Sequence, residues 1–358
     1  MASALEPPGP LEHAKELHAT AQKLGEAGKG LLAADESTGS IKKRLADVGK
    51  ENTEDNRREW RDIMFTADGP YEQHISGVIT FEDTLMIHNA TLDSKYKGKS
   101  FVEVLKSRGV VPGIKVDKGT IALPRTSPEE TTTQGLDGLL ERCKQYYDRS
   151  ARFSKWRCTY TVSATTPSSL AIVDNAEVLA RYAAISQAAG LVPIVEPEVL
   201  MTHDQSLSRS LEAHIAAYSA VFERLALHKV DFAGLVLKAS YVTPGQKHSK
   251  ASPEDVAEAT INCLSKTVPP LVPTVVFLSG GFSDADSIEY LNAINKRKNE
   301  NPTAAPWSLT FSFGRALQGV AMKAWADGNN DDSQKAWVDR AQWCGQAAEG
   351  KYAGGCPS

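Results

Sequence analysis

The chain has 358 residues, 41% of them hydrophobic and 23% charged, with a net charge of −4. This is an ordinary globular composition and argues against a nucleic-acid or membrane-surface partner; the basic runs at 42–44 and 296–298 are short and read as solvated helix faces. No apolar run approaches the roughly 18 residues of a membrane span.

The start, MASALEPPGPLEHAKELHATAQKL, has no apolar segment of signal-peptide type and carries glutamates without arginine, unlike a transit sequence. The five cysteines (Cys143, Cys158, Cys263, Cys344, Cys356) are scattered and form no CxxC pair. Reduced thiols and a cytoplasmic location are expected.

Eight short apolar runs follow in order: 28–35, 75–83, 110–117, 155–163, 191–199, 232–240, 274–281 and 308–317. Helical patterns lie between them. The spacing predicts a helix over 176–189, ended by Gly190. Ser252, Pro253, Glu254 and Asp255 read as a helix start, and Val256, Ala259, Cys263 and Leu264 then fall on one stripe. Ser283 with Asp286 resembles a capping box before Ile288, Leu291 and Ile294. Strand–helix alternation with near-continuous apolar strands predicts a parallel sheet. Eight repeats in one chain favour a closed α/β barrel, a (β/α)8 TIM barrel with additional N-terminal and C-terminal helices, over an open doubly wound sheet. No GxGxxG follows any strand, which weakens a dinucleotide-binding alternative. The expected organisation is one domain over 1–358 with a short flexible tail from about 350.

In such a barrel, chemistry belongs at the C-terminal ends of the strands. Asp35 ends the first run, Lys115 and Asp117 the third, Glu196 and Glu198 the fifth, and Lys238 the sixth. Lys155 and Arg157 open the fourth. Ser279, Gly280 and Gly281 close the seventh, and Gly314 and Arg315 the eighth. Residues two apart in a strand share a face, so Lys155 pairs with Arg157 and Glu196 with Glu198. Singly, each has an ordinary reading. Asp35 suits a helix N-cap, Glu196-Pro197-Glu198 a loop, Lys115 and Lys238 solvated strand ends, and the glycine pair a turn. Gathered on one rim they describe a site.

A lysine where water is scarce and other cations are near presents a neutral amine more readily, and a neutral amine attacks ketones. Lys238 has Lys155 and Arg157 as candidate neighbours. Glu196, Glu198 and Asp35 are available to move protons. The loops after the seventh and eighth strands of a barrel often hold phosphate through backbone N–H groups, and Arg315 adds a charged fork. Ser37, Ser40 and Lys115 are placed for a second phosphate. The eight histidines show no HxH or HxxxH spacing, so no metal is expected. These residues point to a Schiff-base enzyme acting on a phosphorylated ketose.

The motifs LLAADESTGSIKKRL, GVVPGIKVDKG, KWRC, TPSSLAI, VPIVEPEVL, FLSGG and TFSFGRALQ stand in this order along the chain. Over about 11–352 the sequence resembles class I fructose-bisphosphate aldolase. The resemblance implies Lys238 as the Schiff-base lysine and Glu196 as acid and base for carbinolamine formation and dehydration. It implies Asp35 as base at the C4 hydroxyl, Lys155 as its electrostatic aid and Glu198 beside the nucleophile. Ser279, Gly280 and Arg315 would hold the C1 phosphate, with Gly281 and Gly314 among the substrate-binding loop residues, Ser37, Ser40 and Lys115 near the C6 phosphate and Arg157 as a cation of the substrate region.

The implied reaction is cleavage of fructose 1,6-bisphosphate to glycerone phosphate and glyceraldehyde 3-phosphate, in glycolysis and gluconeogenesis, by a cofactor-free homotetramer. The sequence departs from the family at Ala239-Ser240, where Pro-Asn is usual, and at Phe282, where glutamine is usual. The family's tail ends in a tyrosine that aids protonation of the enamine. Here Tyr352 is followed by AGGCPS, which implies a slower protonation step. Two alternatives stand beside this reading: a barrel kept for binding or scaffolding, and a Schiff-base enzyme for another sugar phosphate.

Overall fold

A computed structural model describes residues 12–93 and 95–355. Residues 1–11, the first part of the start without a targeting-signal pattern, and Cys356 lie outside the described residues.

Ten strands occur in chain order: β1 Gly30–Ala34, β2 Ile75–Thr80, β3 Val111–Lys115, β4 Thr120–Ala122, β5 Thr131–Thr133, β6 Phe153–Tyr160, β7 Val192–Val199, β8 Val236–Ala239, β9 Thr274–Phe277 and β10 Ser308–Phe313. β4 and β5 form a separate antiparallel hairpin. The other eight close into a barrel in the order β1-β10-β9-β8-β7-β6-β3-β2, every pairing parallel. Every residue of β7 and of β9 is buried, as expected of parallel strands covered by helices on one side and the barrel interior on the other.

The foot of the barrel is plugged. The helix Ala14–Leu24 sends Leu17, Ala21 and Leu24 into a buried cluster with Leu31, Ile79, Phe153, Val192, Ile194, Val236 and Val276. Its last carbonyls, which a helix leaves without partners, receive strand hydroxyls: Thr274 donates to Ala21 at 3.0 Å and Ser76 to Leu24 at 2.8 Å. Gly113 makes room for the Phe153 ring, since a Cβ there would stand 2.2 Å from it. With its foot filled, the barrel has its accessible end at the opposite rim.

The helix Pro253–Thr267 starts on the Ser252 cap with Pro253 at its first position, and Val256, Ala259, Cys263 and Leu264 are all buried. The helix expected over 176–189 runs Ser169–Ala188, because Ser168 accepts the Ala171 N–H and starts it seven residues earlier. Ser283 caps its helix through Asp286 N–H at 3.0 Å, but the Asp286 carboxylate pairs with Lys250 instead of completing a capping box.

Three runs shift. The sixth begins with a short 3-10 turn, Phe232–Gly234, held by the Asp231 side chain, so its strand is only β8. The seventh ends at Phe277 and leaves Ser279-Gly280-Gly281 as a turn. The fourth begins at Phe153, so Lys155 stands third in β6 rather than opening it.

Candidate active site

Above the apolar plug, four side chains form a row of alternating charge, Lys155, Glu196 and Lys238 buried and Asp35 nearly so. Asp35, just past β1, places Oδ2 2.7 Å from Lys155 Nζ on β6. Lys155 Nζ is also 3.2 Å from Glu196 Oε2 on β7, and Glu196 Oε1 is 3.1 Å from Lys238 Nζ on β8. The strand register brings them together: Lys155 stands beside Ile194 and Arg157 beside Glu196, so side chains reach diagonally across the barrel. Arg157 forms an ion pair with Glu198, likewise one diagonal step along β7 from its register partner Glu196. Lys238 is only 4% exposed, so it is not a strand end reaching into water.

The row sets the ionisation of its members. Burial pushes the Asp35 carboxyl up, but Lys155, then Lys238 and Lys115, outweigh it and hold the group at about 2. Burial likewise opposes the charge on Glu196, and Lys155, Lys238 and Arg157 overcome both that and the nearby Asp35, so its pKa stays below the usual range. Lys155 pays for its burial too, yet Asp35, Glu196 and Asp117 hold its ammonium well above the ordinary lysine value. Arg157 is raised against its burial by Glu198 first. Glu196 Oε2 makes no aligned hydrogen bond despite its closeness to Lys155, which leaves one carboxylate oxygen open to a proton.

The loops around the row supply anion-binding groups. Phe282 N–H closes a turn on Ser279 O at 3.4 Å, with Gly281 at φ +87°, a conformation suited to glycine. Among the described residues the N–H groups of Gly280 and Gly281 have no acceptor. Gly280 borders the row: a Cβ there would lie 3.5 Å from Glu198 Oε1. Gly314 is the N-cap of the helix Arg315–Ala326, whose first N–H groups are open, as at any helix start. Arg315 is exposed, and its side chain makes no hydrogen bond or salt bridge among the described residues.

Next to it around the rim, since β1 pairs with β10, Ser37 caps the helix Thr38–Asp47 by accepting the Ser40 N–H at 3.3 Å, and the two hydroxyls lie 3.1 Å apart. Ser37, rather than Asp35, is therefore the N-cap. Lys115 pairs with Asp117 at 2.8 Å while still bearing on Asp35.

One cation was hidden in a run that reads as a solvated face. Arg44 pairs with Glu36, and its Nη2 would stand 3.4 Å from a Cβ on Gly314. The available signal was spacing, because Ser37, Ser40 and Arg44 recur at i, i+3 and i+7 along one face.

Phe282 turns away from the row and packs edge-on against Tyr241 and Tyr290, with ring centroids 5.4 and 5.6 Å away. Tyr352 lies far from the mouth. Its N–H and C=O both bond to Asn292, and neighbouring Lys351 lines a cavity of about 500 Å³ beside Gly25 and Ser308, at the barrel's foot. No group of three His, Cys, Asp or Glu residues arranged to hold a metal ion occurs among the described residues.

The family model for class I fructose-bisphosphate aldolase matches residues 16–358. Fructose-bisphosphate aldolase C of Mus musculus is 48% identical over 347 residues, covering 96% of this chain and 92% of the mouse protein. A fructose-bisphosphate aldolase of Echinococcus multilocularis is 49% identical over 346 residues, again 96% and 92%. Cytosolic fructose-bisphosphate aldolase 4 of Arabidopsis thaliana is 48% identical over 342 residues, 95% of this chain and 84% of the plant protein. Among solved structures, fructose-bisphosphate aldolase of Plasmodium falciparum, determined in complex with TRAP and a small-molecule inhibitor, superimposes with a TM-score of 0.92 at 41% identity. That match covers 99% of this chain and 100% of the other.

Proposed function

The chain belongs to the class I fructose-bisphosphate aldolase family, and on that premise we propose that Lys238 forms the Schiff base and that the buried row moves the protons. As an enzyme of this family it cleaves fructose 1,6-bisphosphate reversibly to glycerone phosphate and glyceraldehyde 3-phosphate, a reaction of glycolysis. The observation that carries the assignment of roles is the buried pair of Lys238 and Glu196, 3.1 Å apart.

In this scheme a proton passes from Lys238 Nζ to Glu196, leaving a neutral amine and a neutral acid. Nζ adds to the C2 carbonyl, a second proton moves from nitrogen to the new alkoxide, and the carbinolamine results. Glu196 returns its proton to the departing hydroxyl, which leaves as water, and a protonated imine remains on Lys238. Asp35, held ionised, takes the proton of the C4 hydroxyl. The C3–C4 electron pair then flows into the imine, releasing glyceraldehyde 3-phosphate and leaving an enamine. Protonation at C3 and hydrolysis free glycerone phosphate and restore the lysine. Lys155, ion-paired with both Asp35 and Glu196, steadies whichever carboxylate is charged, and Glu198 with Arg157 walls the same side.

The C1 phosphate takes the open amides of Gly280 and Gly281, the Ser279 hydroxyl, and Gly314 with Arg315; the C6 phosphate takes Ser37, Ser40 and Lys115. The chain acts as one domain with a short C-terminal tail from about 350, needs no cofactor or metal, and works in the cytoplasm like its cytosolic plant relatives. A homotetramer is part of the proposal. Leu170 and Val173, one helical step apart and each about half exposed, give it an apolar face to bury.

Borohydride reduction in the presence of glycerone phosphate tests the scheme. Mass spectrometry should find one adduct per chain, on the peptide containing Lys238; an adduct elsewhere, or none, refutes it.

A further inference from the structure

The strand pairing around Lys238 is uneven. β6 and β7 are in register over their full length, from Phe153 beside Val192 to Tyr160 beside Val199. On the other side of Lys238, β8 and β9 stay paired as far as Ala239 beside Phe277, and Leu278 N–H continues to Ala239 O at 3.0 Å. Between β7 and β8 only Ile194–Val236 and Val195–Leu237 are in register. The pairing stops one residue before Glu196 and Lys238, the two residues whose spacing the Schiff-base scheme requires. Just beyond these two residues Pro197 has no N–H to continue the ladder, so the seam lacks further backbone pairing there.

A side chain closes it. Val199 N–H, next to Glu198, donates to Ser240 Oγ at 3.0 Å, in a contact buried from solvent. Ser240 is in turn fixed from the outer layer, since its own N–H donates to the Tyr218 hydroxyl at 3.1 Å from the helix Leu207–Leu227. Ser240 is 3% exposed and Tyr218 1%, so neither contact has water as a ready substitute. A buried N–H without an acceptor carries a desolvation cost, so this hydroxyl decides where the end of β7 rests. Ala239, between Lys238 and Ser240, is fully buried and adds no polar group of its own.

We propose that Ser240 is a positioning residue for Schiff-base formation, its hydroxyl replacing the missing backbone pairing between β7 and β8 and so setting the placement of Glu196 and Glu198 against Lys238. The inference rests on the Schiff-base reading above. It concerns the carboxylates and lysine, not the phosphate loops, so its effect is confined to one stage of the reaction. Displacements of about 1 Å between reacting groups cost up to about a hundredfold in rate.

The test is rapid-quench borohydride trapping with glycerone phosphate, comparing wild type with Ser240→Ala, Ser240→Cys and Ser240→Thr. The trapping rate should fall about ten- to hundredfold in Ser240→Ala and recover in Ser240→Thr, which keeps the hydroxyl. Inhibition by inorganic phosphate, which reads the phosphate loops alone, should stay within about twofold throughout. If circular dichroism shows Ser240→Ala unfolded, the near-isosteric Ser240→Cys, whose thiol is a weak acceptor, decides in its place. An unchanged trapping rate in the deciding variant, or a Ser240→Thr enzyme as slow as it, overturns the inference, as does an equal loss of phosphate affinity. A wild-type adduct on a lysine other than Lys238 overturns the underlying scheme instead, and is recognised in the same spectra.

Discussion

Lys238 Nζ and Glu196 Oε1 stand 3.1 Å apart on neighbouring strands, with both side chains about one-twentieth exposed. An ion pair this deeply buried is costly to assemble and more costly to break from one side. It makes sense as a proton held ready: moved from nitrogen to oxygen, the pair becomes an amine and an acid without any change in net charge.

Glu196→Gln should separate these two aspects. The amide cannot receive the lysine proton or return it to the leaving hydroxyl, so kcat should fall by about 10² to 10⁴. Lys155 and Lys238 also lose a shared counter-charge, which should cost about 3–5 kcal/mol of stability. Quench-flow kinetics and urea denaturation read the two losses separately. A variant that turns over at near wild-type rate would show that Glu196 is only a structural counter-ion.

Asp35 makes a pH-dependent contribution of defined sign. Its carboxyl is depressed from 3.8 to about 2, so the stability it contributes is complete above pH about 4 and is lost as pH falls through about 2. The amount is on the order of 2 kcal/mol. As pH falls from about 5 through 3.8 towards 2, Asp35→Asn should therefore lose less stability than wild type in urea denaturation, and it should also lose C4–OH deprotonation. Parallel acid slopes for the two proteins would rule out the shift.

Arg315→Ala should raise KM for fructose 1,6-bisphosphate about tenfold or more, since a hydrogen bond to a charged group contributes about 1.5–3 kcal/mol. The guanidinium is exposed and unpaired, so the melting temperature should hardly move. Steady-state kinetics with a thermal scan checks both. An unchanged KM would mean that this arginine points away from bound substrate.

Gly281→Ala attacks the other proposed phosphate loop, after β9, from behind. The φ of +87° disfavours any Cβ, and one here would meet Met201 Sδ at 2.9 Å and Gln246 Nε2 at 3.3 Å. Gln246 Nε2 donates to Gly281 O at 2.8 Å and would be displaced, while the cavity of about 210 Å³ behind the loop offers no other support. Affinity for glycerone phosphate should fall at least about threefold, with affinity for glyceraldehyde 3-phosphate retained. Titration calorimetry with each product distinguishes a local from a general effect.

Much of this was legible from residue order. The eight apolar runs correspond to the eight barrel strands because parallel strands buried on both faces read as uninterrupted apolar segments, a signal that tolerates errors of a few residues at each end. The helix caps at Ser252 and Ser283 were visible because capping depends on residues three apart. The charged row was legible by type and not by partner. That Lys155 bridges Asp35 and Glu196 depends on the lateral register of β6 with β7, which no local pattern encodes. Arg44 was read as solvated for the same reason, since its neighbour Gly314 is 270 residues away. Ser240 differed from the family pattern, but its role became visible only when the β7–β8 register was seen to stop at Val195.

The charge-alternating row has a consequence for ionic strength. Asp35, Lys155, Glu196 and Lys238 sum to zero and are largely shielded from solvent, whereas Arg315, the proposed phosphate ligand, is exposed at the surface. Dissolved ions screen exposed charges over about 8 Å at physiological salt and act far less on buried ones. Added salt should therefore weaken capture of the bisphosphate while leaving the bond-making steps nearly untouched, so KM should climb with potassium chloride and kcat stay level. Substrate recognition would be tuned by the surrounding electrolyte, and the chemistry largely insulated from it.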